Sequence, residues 1–180
     1  MKKNFIILLV LINPLINCFS QNDNRWMIDT EKSFIEYQAK HLLHQWKGIN
    51  KNIKGVFFLK DKDSKIAVAA NIADFDSGIS NRDSNSLRVL DAFKYPQVKF
   101  YSDQILITEE KIALSGELDF HGIKINKKFE AEYSVNKDSI EIEGNFSIVL
   151  TDFDIKLPSL MLVKMDDIAN ISYKLIFQMM

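Results

Sequence analysis

Apolar and polar residues alternate with a period of two along most of this sequence. Between residues 140 and 150 every even-numbered position is apolar or glycine, whereas the odd positions from 141 to 147 are Glu, Asn or Ser. Residues 112–120 and 129–135 are divided in a similar way. Side chains of a β-strand point alternately to its two faces, so each segment has one dry and one wet face. The pattern therefore predicts a protein built mostly of amphipathic strands.

Five further segments have strand character and bring the total to about eight. They are residues 35–39, 53–60, 66–72, 98–107 and 171–179. Short turns at 61–64, 121–122 and 136–138 require antiparallel neighbours. Because closing a sheet removes its vulnerable edges, we expect an all-β fold, an eight-stranded antiparallel β-barrel. A barrel of this size is either filled by its own side chains or holds one small ligand, and the pattern leaves both open.

The alternation is interrupted between residues 74 and 95. Apolar residues recur there at helical spacing from Leu87 to Phe93, which predicts one short helix over residues 82–92. Ser80 or Asn81 would cap this helix, and Asp83 would place a carboxylate in its first turn, where it meets the positive end of the helix dipole.

The first twenty residues have the composition of a secretory signal peptide. Two lysines precede an apolar run that is too short to cross a bilayer as a permanent anchor. Cleavage after Ser20 would release a domain of residues 21–180 to the periplasm or the medium. The alternative is lipoprotein processing at residues 15–18, which would anchor the protein through Cys18. Since this is the only cysteine, the exported chain can form no internal disulfide.

Length and charge narrow the class of protein further. A chain of 180 residues suits one domain. The 23 basic and 24 acidic residues give a formal charge of -1, which leaves no basic excess for nucleic-acid binding.

Short motifs spread over the whole exported chain resemble those of the YceI-like family of periplasmic polyisoprenoid-binding proteins. In order, they are Ser33-Phe34-Ile35-Glu36-Tyr37, His41-Leu42, Ile72-Ala73, Ser80-Asn81-Arg82-Asp83, Tyr95-Pro96, Val98-Lys99-Phe100, Gly116-Glu117-Leu118, His121-Gly122, Gly144-Asn145-Phe146 and Thr151-Asp152-Phe153. The resemblance implies a lipocalin-like barrel whose tunnel holds a long isoprenoid chain, with a carrier or stress-related role.

Two segments depart from that family pattern. The connection at residues 158–167 is longer and more apolar than expected, and its first half is a candidate lid at the barrel mouth. His44 and Trp46 stand where the family usually has small or polar residues. These departures bear on the length and identity of the ligand.

Together, pattern and resemblance predict an exported, non-catalytic protein that sequesters or carries a polyisoprenoid or an isoprenoid quinone, with no other cofactor. Each five-carbon unit buried in a barrel could contribute roughly 3–4 kcal/mol before ordering costs. The inward residues predicted to line the tunnel are Tyr37, Phe57, Val68, Phe100, Leu118, Phe120, Tyr133, Phe146, Ile148, Tyr173 and Phe177.

Three polar residues, His41, Arg82 and Asp83, are expected at the barrel end. Arg82 and Asp83 could hold a polar lipid head group, or they could cap the helix and tie it to the barrel. His41 and His44 have ligand spacing, but without Cys or carboxylate partners we expect no metal site.

Two other functions stay open on the sequence alone. An enzyme acting on the same lipid would need a polar cluster in the tunnel, and no nucleophile elbow or phosphate loop occurs in the sequence. A filled barrel would act only as an interaction or stress protein. Oligomerisation is not decided by the sequence.

Overall fold

The computed structural model describes residues 24–42, 44–60, 63–160 and 162–179. The predicted signal peptide and Cys18 lie outside the described residues. The elements in chain order are β1 (Arg25–Ile28), β2 (Phe34–His41), β3 (His44–Asn50), β4 (Ile53–Phe58), β5 (Lys65–Asn71), α1 (Ser80–Val89), β6 (Gln97–Ile107), β7 (Lys111–Phe120), β8 (Ile123–Val135), β9 (Ser139–Val149), β10 (Ser159–Leu160), β11 (Val163–Lys164) and β12 (Ile168–Met179). Two 3-10 turns, Ile72–Asp74 and Leu150–Phe153, follow β5 and β9.

These segments close into one antiparallel barrel, and the predicted fold is confirmed. β1 and β2 bond the same edge of β12, so together they form one kinked strand. β4 bonds β1 and β3 bonds β2, so β3 and β4 form a second kinked strand. The sheet order is β1-β4-β5-β6-β7-β8-β9-β12, and β12 pairs back to β1. Counted this way, eight strands follow one another up and down around the barrel.

Some boundaries differ from those predicted. β1 and β3 were not predicted, and β8 begins at Ile123 rather than near residue 129. β1 has only four residues, too few for a period to be visible. The helix begins at Ser80 and ends at Val89, with Ile79 at its N-cap position. In place of a side-chain cap, the Asp83 carboxylate accepts the backbone N–H of Ser77, which precedes the helix.

Two predicted turns have the expected geometry. His121 and Gly122 join β7 to β8 with φ of 52° and 77°, the left-handed pair that a two-residue hairpin requires. At the other end of β8 the N–H of Asn136 bonds the carbonyl of Ser139 at 2.8 Å. Strand direction therefore places each connection at one of two barrel ends.

One end of the barrel, the closed end, is filled by side chains. The buried cluster that extends from this end toward the middle of the barrel comprises Trp26, Ile53, Phe57, Ile66, Ile112, Leu114, Phe129, Ala131, Tyr133, Ile140, Ile142, Tyr173, Leu175 and Phe177. Phe57 and Phe177 meet edge to face, with ring centroids 5.8 Å apart. The opposite end carries α1, the β2–β3 turn, the β7–β8 turn and the β10–β11 hairpin, and is called the mouth below.

The barrel wall has a seam between β8 and β9. Within the described chain these two strands pair over four positions, from Glu132↔Glu143 to Val135↔Ile140, near the closed end. Toward the mouth, residues 123–131 of β8 bond β7 and residues 144–149 of β9 bond β12, without a ladder between them. Side chains bridge the seam instead, because the rings of Phe129 and Phe146 lie 4.3 Å apart.

Candidate functional site

A cavity of about 770 Å³ occupies the mouth half of the barrel. Its inner wall is apolar and comes from alternate residues of the strands, such as Val68 on β5, Leu118 on β7 and Ile148 on β9. Its outer rim includes α1 and the start of β10. Ligand sites typically measure roughly 300–1,000 Å³, so the space suits a small or slender molecule.

Eight of the eleven predicted tunnel residues line this cavity. They are Tyr37, Val68, Phe100, Leu118, Phe120, Phe146, Ile148 and Tyr173. The other three, Phe57, Tyr133 and Phe177, face inward but belong to the packed cluster at the closed end. The period of a strand gives the face of a residue but not its depth along the barrel, so these three could not be separated from the others by pattern.

The inward glycines Gly144 and Gly48 do not create the hollow. A Cβ on Gly144 would come within 2.7 Å of the Tyr173 hydroxyl and 3.1 Å of Ala131, so this position makes room for protein atoms. A Cβ on Gly48 would collide with the ring of Tyr37. The small residues that do line the cavity include Ala70 and Ala169.

Helix α1 lies beside β3, whose outer edge makes the isolated bridge Ile49↔Asp76. The Arg82 guanidinium lies over the ring of Trp46, 5.8 Å from its centroid, which joins the helix to β3. The ring of Tyr37 meets that of Phe75 edge to face at 5.7 Å. Leu87 turns toward the cavity. The helix is thus attached to the barrel by a cation–π contact and by apolar packing.

The predicted polar residues His41, Arg82 and Asp83 all border the cavity at its mouth. His41 bonds the carbonyl of Val163 at 2.9 Å through Nε2, which must carry the proton because a carbonyl can only accept. This bond ties the β10–β11 hairpin to β2. The N–H of Asp166, bonded to the carbonyl of Lys40 at 2.9 Å, reinforces the attachment. The apolar connection at 158–167 therefore lies at the rim of the mouth beside β2, where Pro158 and Met165 border the cavity.

The tyrosines of the barrel interior are neutral at physiological pH. Burial raises the pKa of Tyr173 to about 12 and also raises the pKa of Tyr37 above its ordinary value. Neither hydroxyl can act as a base near neutrality. Charged side chains of the cavity lining stand at the rim, on α1 and at Lys99.

Within the described residues no group of three or more His, Cys, Asp or Glu side chains could hold a metal ion. His41 and His44 face each other across the β2–β3 turn. In the same part of the chain, no helix is long and apolar enough to cross a membrane.

Several lining residues were missed by the sequence prediction. β3 supplies Trp46 and His44, and the segment around α1 supplies Ile79, Leu87 and Leu90. The helical spacing of Leu87 and Leu90 could have indicated that they face the barrel, since an apolar face of a helix packs against another apolar surface. The indication for Trp46 was weaker, because the short strand around it was not recognised.

Comparison with known proteins adds solved structures with the same fold. BcnA of Burkholderia cenocepacia superposes with a TM-score of 0.74 at 18% identity, over 83% of this chain and 98% of that chain. A polyisoprenoid binding domain from Saccharophagus degradans gives 0.73 at 12% identity, over 86% and 98%. At these identities the likeness concerns the fold.

Sequence relatives and a family model extend the likeness. A UPF0312 protein of Pseudomonas putida (strain GB-1) is 30% identical over 173 residues, 88% of this chain and 90% of that protein. A UPF0312 protein of Photorhabdus laumondii is 30% identical over 118 residues, 61% of each chain. The model of the YceI-like domain matches residues 26–177, from β1 to the end of β12. With the barrel, the cavity and this match in agreement, the chain belongs to the YceI-like family.

Proposed function

We propose that this protein is an exported, non-enzymatic carrier that holds one polyisoprenoid or isoprenoid quinone tail in the mouth half of its barrel. The observation that carries the proposal is an apolar cavity of about 770 Å³ that is closed at one end and open at the other. The polyisoprenoid binding domain from Saccharophagus degradans, which has the same fold, supports the choice of ligand.

The length of the cavity suits a chain of a few isoprene units. Lining residues on β12 run from Ala169 to Leu175, six residue steps that span about 20 Å along the strand. Barrel strands tilt by roughly 35–45°, so the depth along the axis is about 15 Å. An extended isoprene unit adds four chain bonds, or roughly 5 Å. The cavity thus accommodates about three to four units, depending on the path of the chain.

The energetics favour binding without any charged anchor. Three to four buried units supply roughly 9–16 kcal/mol, against association costs of about 4–15 kcal/mol. A tail longer than the cavity would leave its head group at the rim, beside Arg82 and His41. The rim is where polar groups can stay hydrated.

Export is part of the proposal. A water-insoluble lipid in an aqueous compartment needs a soluble carrier, and the first twenty residues have the composition of a secretory signal. A periplasmic or secreted location follows, with anchoring through Cys18 as the alternative.

Two neighbouring residues of β6 provide a matched test. Phe100 lines the cavity, whereas Tyr101 points outward and is 45% exposed. In Phe100→Glu a carboxylate enters the apolar space, so we expect co-purifying lipid to fall at least about tenfold, since desolvating a charge is costly. Tyr101→Glu should keep full occupancy.

The readout is native purification followed by lipid extraction and mass spectrometry, with circular dichroism to verify that both variants are folded. Unchanged lipid in folded Phe100→Glu would contradict the proposed site. Absence of any isoprenoid from the parent protein, together with failure to take up added isoprenoid quinone, would contradict the function.

A further inference from the structure

Within the described residues, four connections at the mouth carry a strongly exposed apolar side chain. One of these side chains, Ile79 before α1, lines the cavity, and the other three do not. Leu42 stands at the β2–β3 turn and is 51% exposed. Phe93 lies between α1 and β6, and Leu162 lies at the β10–β11 turn; they are 101% and 100% exposed. Strand direction assigns all three connections to the end at which the cavity opens. We call these residues the apolar tips.

The local backbone makes these leucines unusual. Leu42 and Leu162 have φ of 47° and 68°, in the left-handed region that Gly, Asn and Asp adopt at lower cost. Polar residues or glycine would suit both turns better in water. The turns are also fixed to each other by the bond from His41 to the Val163 carbonyl. Folding stability alone does not account for leucine at these positions.

A lysine accompanies each apolar tip. Lys40, Lys94 and Lys164 lie within two residues of Leu42, Phe93 and Leu162, and all three are exposed. Apolar side chains that project beside lysines are typical of surfaces that enter the interface of an anionic bilayer. The apolar lining of the cavity reaches this same rim, where Pro158 and Met165 border the opening.

We propose that the apolar tips dock the barrel, mouth first, on an anionic phospholipid bilayer. The inference rests on the proposed function, because a polyisoprenoid resides in membranes and has to pass between bilayer and cavity without crossing water. With the mouth against the bilayer, the tips enter the interface, the three lysines meet lipid phosphates, and the tail moves directly into the cavity.

Vesicle sedimentation tests the docking. The variant Leu42→Ser, Phe93→Ser and Leu162→Ser should bind vesicles of phosphatidylcholine and phosphatidylglycerol at least about tenfold more weakly, since each side chain buries apolar area on docking. The matched control is Met27→Ser, Leu106→Ser and Val135→Ser, which removes exposed apolar residues at the closed end and should bind like the parent.

A second variant isolates the charge contribution. Replacing Lys40, Lys94 and Lys164 with Gln should weaken binding to vesicles with phosphatidylglycerol by about fivefold per lysine. Binding to vesicles of phosphatidylcholine alone should be unchanged by these substitutions.

Transfer measurements separate this proposal from the carrier function. The tip variant should still take up isoprenoid quinone from detergent micelles while extracting it from vesicles more slowly than the parent.

If the parent does not sediment with anionic vesicles, or if both serine variants lose binding equally, docking through the mouth is wrong. Loss of uptake from micelles in the tip variant would also overturn it, because the tips would then belong to the ligand site. A parent that binds vesicles but takes up no isoprenoid from micelles would refute the carrier function and leave docking standing.

Discussion

Replacing Ala169 with Phe tests whether the space beside β12 is empty. Ala169 is buried and lines the cavity. A phenyl ring that enters empty apolar space gains roughly 1.5–3 kcal/mol from burial, of which fixing the side chain removes about 0.5–1 kcal/mol. We therefore expect the lipid-free variant to have a free energy of unfolding about 1–2 kcal/mol higher than that of the parent, measured by urea denaturation.

The same substitution should weaken lipid binding. Six ring carbons take about the space of one five-carbon isoprene unit, so the ligand loses up to about 3–4 kcal/mol, more than a hundredfold in Kd. Native mass spectrometry at increasing concentrations of isoprenoid quinone would measure this loss. Higher stability combined with lower affinity is the signature of a filled ligand site.

Ala131→Phe is the matched control for this experiment. Ala131 is also buried and faces inward, but it lies in the closed-end cluster beside Gly144. Overpacking such a site costs typically about 1–3 kcal/mol. If Ala169→Phe destabilises the lipid-free protein as much as Ala131→Phe does, the space beside Ala169 is not empty and the reasoning fails.

Three further predictions concern titration, the mouth and the wall. Burial raises the pKa of Tyr173 to about 12 from 10.0, so the folded state retains this proton longer and the parent should lose roughly 2–3 kcal/mol of stability as pH rises across that interval. Measured by urea unfolding over the same pH interval, the free energy of unfolding of Tyr173→Phe should fall less than that of the parent. An equal fall would refute the raised pKa of Tyr173. His121→Ala removes a 2.8 Å bond to the Phe153 carbonyl and should cost about 1–2 kcal/mol in thermal unfolding, whereas the exposed His44→Ala should cost under about 0.5 kcal/mol. In hydrogen exchange, the amides of 123–131 and 144–149 that face the seam should exchange faster than those of the β8–β9 ladder, and equal protection would show that the seam is closed.

The barrel was predictable because its strands are long and half buried. Between residues 140 and 150 the inward-facing residues are apolar or glycine, and β9, from Ser139 to Val149, covers almost the same range. β3 was missed for a physical reason: its outer edge bonds no long strand but meets the isolated bridge Ile49↔Asp76 and the helix. A strand that faces a helix lacks the repeated environment that produces a clean alternation.

The candidate site was predictable in outline only. Tyr37 and Ile148 fall on the inner face by period, and the structure brings them to one cavity. Phe57 and Phe177 have the same period, yet they fill the closed end because strand register, rather than sequence pattern, sets their height in the barrel. Leu87 lines the cavity because the connection after β5 places α1 beside the barrel mouth. The local sequence pattern predicts the helix but not where it packs.

The two halves of the barrel differ in how strongly their strands resist displacement. At the closed end, Phe57 and Phe177 interlock and the β8–β9 ladder is complete, so moving this region would break backbone bonds as well as packing. Along the seam, widening the wall costs contacts between the rings of Phe129 and Phe146, but no ladder bond. Backbone pairing resists displacement more than side-chain contact does, since a broken ladder bond leaves polar groups unsatisfied. We therefore expect a ligand too wide for the cavity to be accommodated by movement of β9 relative to β8 along the seam, while the ladder near the closed end is retained.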